Sequence, residues 1–556
     1  MFRSNQKHYS ISKHKIINYS IFLFFCFYFL IGANIYKDYG ISIDEPFQRS
    51  SGFYWYIWIL DNFFNDSSNL EYLRNTFNEM EWTQGSQGLL GGLHLEYGVI
   101  FDLFAAFVEN KFNIRNSQDA FYLKHLLNFS IFYISSIFFF FLIKNRFNNN
   151  LLAFIGVVFY ITSPRIFAES FYNCKDIIFM SFMVSSIFFG LKVLKNYKVK
   201  NIILFSLFSA LATSVRSMGI FSIFLVLVFI IFETLEEKNA SIKKLKFVLV
   251  TLSFYFFFTY LFWPYLWPDP INNFIIALKL YANYGWGGSI FYLGDYVKAN
   301  NLPWHYSFVW IGVTTPIIYL LLFIIGSYKI LFNFFTNLDK LWKNLNEKLD
   351  LFILAFFIGP IFAVIILNST LYNGWRHLYF IYPALIYISI FGLNYFLSLK
   401  LNKFYKSGIF IIIFLSIFVN IFNIVKLHPF QNIYFNFLVE KKANTLFVAD
   451  YWGLGNAHSI IKILDNIDEF ENASIRTASF TPLNYSRYII NHERIKNINF
   501  PGSAKLNSEY IFTNYVYEGN PKYKKKYFIP KNYKKFYTLK KGNIVINEIY
   551  KKKISN

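Results

Sequence analysis

Long apolar runs separated by short clusters of Lys, Asn and Pro dominate this chain. They fall at Ile16–Ile35, Ala120–Ile143, Leu151–Thr162, Ile177–Leu194, Ile202–Thr213 and Gly219–Phe232, then at Phe247–Phe262, Phe308–Leu331, Leu351–Leu367, Leu378–Leu397 and Gly408–Val425. A helix needs roughly 20 apolar residues to cross the hydrocarbon layer, so the pattern predicts an α-helical polytopic membrane protein with about eleven transmembrane helices. The runs near Leu151 and Ile202 are short and are read as tilted or partly re-entrant. The first run follows the basic residues Arg3, Lys7, Lys13 and Lys15 and is too long for a cleaved signal peptide, so it is expected to be a retained signal anchor.

After Val425 the periodicity changes. Leu446–Ala449, Ala473–Phe480 and Tyr510–Tyr515 read as strands, His458–Leu464 as an amphipathic helix, and Phe536–Leu539 with Ile544–Ile549 around Gly542 as a hairpin. The expected organisation is a transmembrane domain over residues 1–426, with a first outside loop at 37–119 that carries juxtamembrane helices. A small α/β domain over 427–556 follows it.

Composition agrees with this class. The chain of 556 residues is 55% hydrophobic, 22% aromatic and only 15% charged, which excludes a disordered, coiled-coil or ordinary soluble protein. A net charge of +22 would suggest nucleic acid in a soluble chain, but here cytoplasmic loops and lipid headgroups account for it and no nucleic-acid partner is expected. The basic residues alternate between loops. Lys144 and Arg146, Lys192 to Lys200, Lys238 to Lys246, Lys340 to Lys348 and Lys400 to Lys406 mark one face, and the intervening loops are depleted. By the positive-inside rule the chain is an inner-membrane, multi-pass protein with a cytoplasmic N-terminus and an extracytoplasmic C-terminal domain. The two cysteines, Cys26 and Cys174, lie far apart and imply neither a disulfide framework nor a Cys metal site.

Charges near lipid are costly, so those that remain at the poorly charged face need a reason. Asp44 and Glu45 follow the first span. Neighbours on an extended chain point to different sides, so the pair divides into one chemical and one supporting role. Capping of a helix begun at Pro46 is the bland alternative. Ser163 to Asp176 holds Arg165, Glu169, Lys175 and Asp176, Arg216 stands alone, and Arg376 with His377 lies between two later spans. Phosphate suits these cations, with snorkelling as the ordinary explanation for each taken singly. Trp304 and His305 close a long loop rich in interfacial aromatics. His94 and Glu96 form a lone His-x-Glu pair, a weak metal signal, although a divalent cation would assist phosphate departure.

Together Ile43-Asp44-Glu45, Ser163-Pro164-Arg165 through Lys175-Asp176, Ser214-Val215-Arg216, Leu302-Pro303-Trp304-His305-Tyr306, Gly374-Trp375-Arg376-His377-Leu378-Tyr379-Phe380 and His428-Pro429-Phe430-Gln431 resemble the C-type membrane glycosyltransferases (GT-C). The resemblance is to bacterial members of the dolichyl-phosphate-mannose protein mannosyltransferase-like group, family 39. It implies a polyprenyl-phosphate-linked sugar donor, with the sugar a hexose such as mannose. It also implies inverting transfer to an extracytoplasmic hydroxyl of a protein, lipid or glycan. Asp44 is then the catalytic carboxylate with Glu45 beside it. Arg165, Lys175, Arg216, Arg376 and His377 face the donor phosphate, and Glu169, Asp176, Trp304 and His305 face the substrates. Asp450-Tyr451-Trp452-Gly453 is the most recognisable stretch of the tail. The alternatives are a polymerase or ligase of lipid-linked glycans and a transporter, the latter disfavoured because the charges gather at helix ends rather than at mid-membrane.

Overall fold

The computed structural model describes residues 2–64, 67–80, 94–236, 242–282, 286–336, 341–468, 472–491, 493–503 and 507–553. Helix α1 (Phe2–Ile35) is followed by α2 (Glu45–Phe63), α3 (Ser67–Asn78) and α4 (Ile100–Lys111), which lie between the first and second apolar spans. A bundle continues with α5 (Ser117–Phe147), α6 (Asn150–Ile161), α7 (Pro164–Tyr172), α8 (Asp176–Asn196), α9 (Val199–Thr213), α10 (Ile220–Glu236) and α11 (Ile242–Phe262). Helix α12 (Pro270–Ala282) and a hairpin of β1 (Ser289–Tyr292) and β2 (Asp295–Lys298) lead to α13 (Tyr306–Thr314), α14 (Ile317–Phe335), α15 (Leu345–Ile366), α16 (Tyr382–Ser398) and α17 (Lys403–Leu427).

This is the expected multi-span membrane fold. Among the described residues nine helices are long and apolar enough to cross a membrane, or ten if the bent pair α6 and α7 is one span. The count of eleven is reached only with α9, whose 15 residues extend about 22 Å against a layer of about 30 Å. Together with the residues flanking it, α9 nevertheless spans the length of its neighbour α8. It starts beside Tyr197, which bonds Glu233, and leads at its other end to Arg216, which bonds Asp176 at the start of α8. The run expected at Phe308–Leu331 is broken into α13 and α14, because Pro316 has no N–H to continue the ladder.

The Lys-rich loops do meet at one face. Arg146 donates to Asp350 at 2.6 and 2.8 Å, and Lys348 donates to Glu233 at 3.0 Å and to the Leu194 carbonyl at 2.9 Å. Lys238 and Lys340 lie outside the described residues.

In lipid, helices gain little from apolar burial against one another, and small residues that admit close backbone approach hold them. Helices α14 and α16 use a glycine pair. A Cβ at Gly392 would stand 2.2 Å from the Leu322 carbonyl, and one at Gly326 2.2 Å from the Ile388 carbonyl. Gly392→Leu is therefore expected to cost about 1–3 kcal/mol through overpacking. Gly408→Leu on α17, where nothing lies within 4 Å, should be neutral. Thermal midpoints in detergent compare the two, and equal midpoints would refute the close-approach argument.

The tail forms a five-stranded sheet with helices α18 (Ala443–Leu446) and α19 (Asn456–Leu464). Its strands are β3 (Ala473–Thr477), β4 (Ile498–Asn499), β5 (Tyr510–Thr513), β6 (Tyr533–Lys541) and β7 (Ile544–Lys552), in the order β4-β3-β5-β7-β6. The first three strands are parallel, and β7 pairs antiparallel with both β5 and β6. Helix α19 buries Ile460, Ile463 and Leu464 with Ile475, Tyr510 and Phe512. The expected strand at Leu446–Ala449 does not form. Leu446 ends a helix, and only Phe447 makes a β-bridge, to Tyr292, before the chain turns into the Asp450 loop. The strand expected to reach Phe480 ends at Thr477.

Candidate active site

The segment entering α2 is clamped from the C-terminal unit. Ile43 N–H donates to the Trp452 carbonyl at 3.0 Å, and a Cβ at Gly40 would stand 2.5 Å from the Leu454 carbonyl. Asp44 occupies the N-cap position of α2, yet its side chain makes no capping hydrogen bond. Its carboxylate instead accepts from Arg376 Nη1 at 2.6 Å and is 35% exposed.

Glu45 points the other way and is fully buried. It accepts the Ser42 N–H at 2.6 Å and lies 2.9 Å from His125 Nε2, while His125 Nδ1 lies 3.2 Å from the Tyr36 carbonyl. The adjacent carboxylates thus diverge, but not on the extended chain expected. Asp44 already has helical dihedrals at φ −87° and ψ −21° and Glu45 is the first residue of α2, so it is the rotation between successive residues at the helix start that separates them. Asp44 faces outward beside an arginine, and Glu45 ties the start of α2 to α5.

Helix α7 replaces the loop expected after α6. Ser163 is extended, Pro164 takes the first helical position, and the chain bends by 67° between the two helices. Proline is suited to that position because its missing N–H is unused there. The bend carries Arg165 and Glu169 into the interior, both at most 2% exposed. Glu169 accepts from the Tyr379 hydroxyl at 2.7 Å and from Asn173 Nδ2 at 2.7 Å, and the same Asn173 nitrogen lies 3.2 Å from Asp176 Oδ2. Asp176 accepts from Arg216 Nη2 and lies 3.6 Å from Arg376 Nη1. Arg376 is therefore held between the carboxylates of Asp44 and Asp176, with its guanidinium 4.6 Å over the Trp452 ring.

Arg165 donates through Nη2 to the Tyr434 carbonyl at 3.1 Å and lies over Phe435 and Trp310. Its Nε and Nη1 have no partner among the described residues. Neither Arg165 nor Arg376, at 2% and 7% exposed, snorkels to an interface. Lys175 turns aside. Its ammonium donates to the Gly98 carbonyl at 3.3 Å over the Tyr97 ring, in a small cavity shared with His94, Asp102 and Gln48. Burial pushes its pKa down to about 8.

His377 packs edge-on against Tyr372 at 4.7 Å. His305 accepts or donates at 2.7 Å with the Tyr292 hydroxyl, and Trp304 is 67% exposed. Among the described residues Trp304 and His305 make no direct contact with the Asp44 network, and His305 reaches it only through Tyr292, Tyr306 and Tyr372, whose ring lies under Arg376. No third His, Cys, Asp or Glu among the described residues joins His94 and Glu96 in a metal-binding group.

Several buried donors around Arg376 lack partners among the described residues: Arg165 Nε and Nη1, Arg216 Nε, Arg376 Nε, Trp452 Nε1 and the Tyr451 hydroxyl. A buried N–H or O–H without an acceptor is expensive, and donors grouped in this way are chemically suited to an acceptor-only, anionic group. Tyr451, Trp452, Tyr379 and Asn173 were not assigned roles from sequence. The first two stood in a recognisable stretch, and Asn173 lies inside the Arg165–Asp176 segment. Tyr379 lies inside the Gly374–Phe380 motif.

Residues 116–263 match the family model described as dolichyl-phosphate-mannose-protein mannosyltransferase. That stretch contains Arg165, Glu169, Lys175, Asp176 and Arg216. No curated protein matches the chain. Among solved structures it is similar to the archaeal oligosaccharyltransferase AglB from Archaeoglobus fulgidus in complex with an inhibitory peptide and a dolichol-phosphate. Identity there is 11% and the TM-score 0.43, over 77% of this chain and 62% of that one, so the chain spans about three fifths of AglB. It is also similar to ArnT from Cupriavidus metallidurans bound to undecaprenyl phosphate, at 10% identity and a TM-score of 0.46 over 96% of this chain and 98% of that one.

Proposed function

We propose, from the family match over residues 116–263, that this protein is an integral membrane glycosyltransferase. It moves a hexose from a polyprenyl-phosphate-sugar donor to a hydroxyl of a protein, lipid or glycan, with inversion at the anomeric carbon. The observation that carries the reading is the group of unpartnered buried donors beside one accessible carboxylate. The donors suit a phosphate, and the carboxylate suits a proton.

In this mechanism the acceptor oxygen attacks the anomeric carbon from the face opposite the phosphate. The carbon–oxygen bond to phosphate breaks, its electron pair stays on the phosphate oxygen, and the acceptor's proton passes to Asp44. Arg376, bonded to Asp44, orients it and with Arg216 and Arg165 stabilises the charge growing on the leaving phosphate. Glu45 holds the backbone that presents Asp44. Asp176 holds Arg216 and Arg376, Glu169 is held by Tyr379 and Asn173, and both carboxylates line the substrate side. The protein sits in the inner membrane with the Lys-rich face in the cytoplasm and the sheet unit outside, a reading supported by the pairing of the Lys-rich loops at one face.

The test is transfer by the purified protein from a radiolabelled monosaccharide polyprenyl phosphate to acceptors in a membrane extract. Labelled product of inverted anomeric configuration and stoichiometric release of polyprenyl phosphate are expected. Transfer confined to diphosphate-linked oligosaccharides would replace this reading with a glycan ligase.

A further inference from the structure

The loop at 450–455 belongs to the C-terminal unit by sequence and is pinned within it at several points. The buried Asp450 carboxylate accepts the N–H groups of Gly453, Leu454 and Gly455 at 3.1, 3.2 and 2.9 Å and Asn432 Nδ2 at 3.0 Å. Asn514, just past β5, donates to the Asp450 carbonyl at 3.0 Å. Gly453 completes the turn at φ +77°, a conformation that favours glycine. A loop held at so many points is rigid, and it presents Tyr451 and Trp452 to the membrane unit.

Trp452 is placed by its contacts, although its Nε1 also has no partner among the described residues. Its carbonyl holds Ile43, and its ring lies under Arg376 and against Tyr172. Tyr451 is not. It is 7% exposed, and its hydroxyl has no partner among the described residues. A Cβ at Gly374, two residues before Arg376, would stand 3.4 Å from that oxygen, and Gly374 itself has φ +75°. Burial pushes the phenol's pKa up, and Glu169, Arg165, Arg376 and Asp176 all act on it, so it lies among the charged groups of the site and remains a donor at neutral pH. Were packing its only duty, Phe would serve without leaving a buried hydroxyl unsatisfied.

We propose that the 450–455 loop is a wall of the active site and that the Tyr451 hydroxyl donates a hydrogen bond to an oxygen of the donor's phosphate, alongside Arg165 and Arg376. This rests on the polyprenyl-phosphate reading above and adds to it a substrate contact from the C-terminal unit.

Tyr451→Phe removes the hydroxyl and nothing else. Two measurements on the full-length protein in detergent test it: binding of undecaprenyl phosphate, and the thermal midpoint without that lipid. The lipid-free midpoint should be unchanged or higher, because an unpartnered buried group is lost. Binding should weaken roughly tenfold to a hundredfold, as for a hydrogen bond to a charged group. A variant that folds and binds undecaprenyl phosphate as tightly as wild type overturns the proposal. A lipid-free midpoint clearly lowered also overturns it, because the hydroxyl would then serve the fold. Failure of the wild-type protein to bind undecaprenyl phosphate instead overturns the functional reading on which the proposal stands.

Discussion

Asp44→Asn should reduce sugar transfer by roughly 10²–10⁴-fold, the usual contribution of a positioned general base, while leaving insertion, folding and donor binding intact. The substitution separates chemistry from architecture because Asn matches Asp in size and caps a helix about as well. In this fold even the capping question is moot, since the Asp44 side chain makes no capping bond. An Asn oxygen can still accept from Arg376 Nη1 where the carboxylate now does at 2.6 Å, so the arginine stays near its place. What disappears is the ability to take a proton. The check is turnover against binding of a polyprenyl phosphate. Full turnover from a folded Asp44→Asn protein would remove Asp44 as the base and direct attention to Glu45, although Glu45 is fully buried and committed to Ser42 and His125.

The largest stability effect should come from Asp176. Its side chain is 1% exposed and is the anionic partner of Arg216 as well as a neighbour of Arg376. Removing one member of a buried ion pair strands the other, and Asp176→Ala is expected to cost about 3–5 kcal/mol. The exposed pair of Arg74 and Asp61, at 58% and 32%, sets the comparison, since breaking it by Asp61→Ala should change stability by at most about 1 kcal/mol. Adding Arg216→Met to Asp176→Ala should restore much of the thermal midpoint, because the stranded charge is gone, without restoring turnover. If Asp176→Ala melts with the Asp61→Ala control, the buried network does not hold the bundle together.

Much of the site stood in the sequence as a set of residue types in the wrong arrangement. Arg165, Lys175, Arg216 and Arg376 were equal candidates for phosphate, and the structure separates them. Arg376 bonds Asp44, Arg216 shares Asp176 with it, Arg165 stands buried with two donors that have no partner among the described residues, and Lys175 faces a neighbouring cavity. Helix α7 is legible in the chain itself, since Ser163 followed by Pro164 is an ordinary way to begin a helix. Tyr451 and Trp452 were recognisable as a stretch but not as part of the site.

The membrane class, most spans and the grouping of Lys-rich loops could be read from the chain alone, because transfer to hydrocarbon is a property of each residue summed over a local window. The divergence of Asp44 and Glu45 was local too, a consequence of backbone geometry between neighbours. Which of the pair meets an arginine, and which arginine, depended on contacts between residues hundreds of positions apart, such as Asp44 with Arg376 and Ile43 with Trp452. No periodicity records such a pairing. It exists only once the sheet unit has packed against the helix ends and fixed which buried charges are satisfied and which donors are left open.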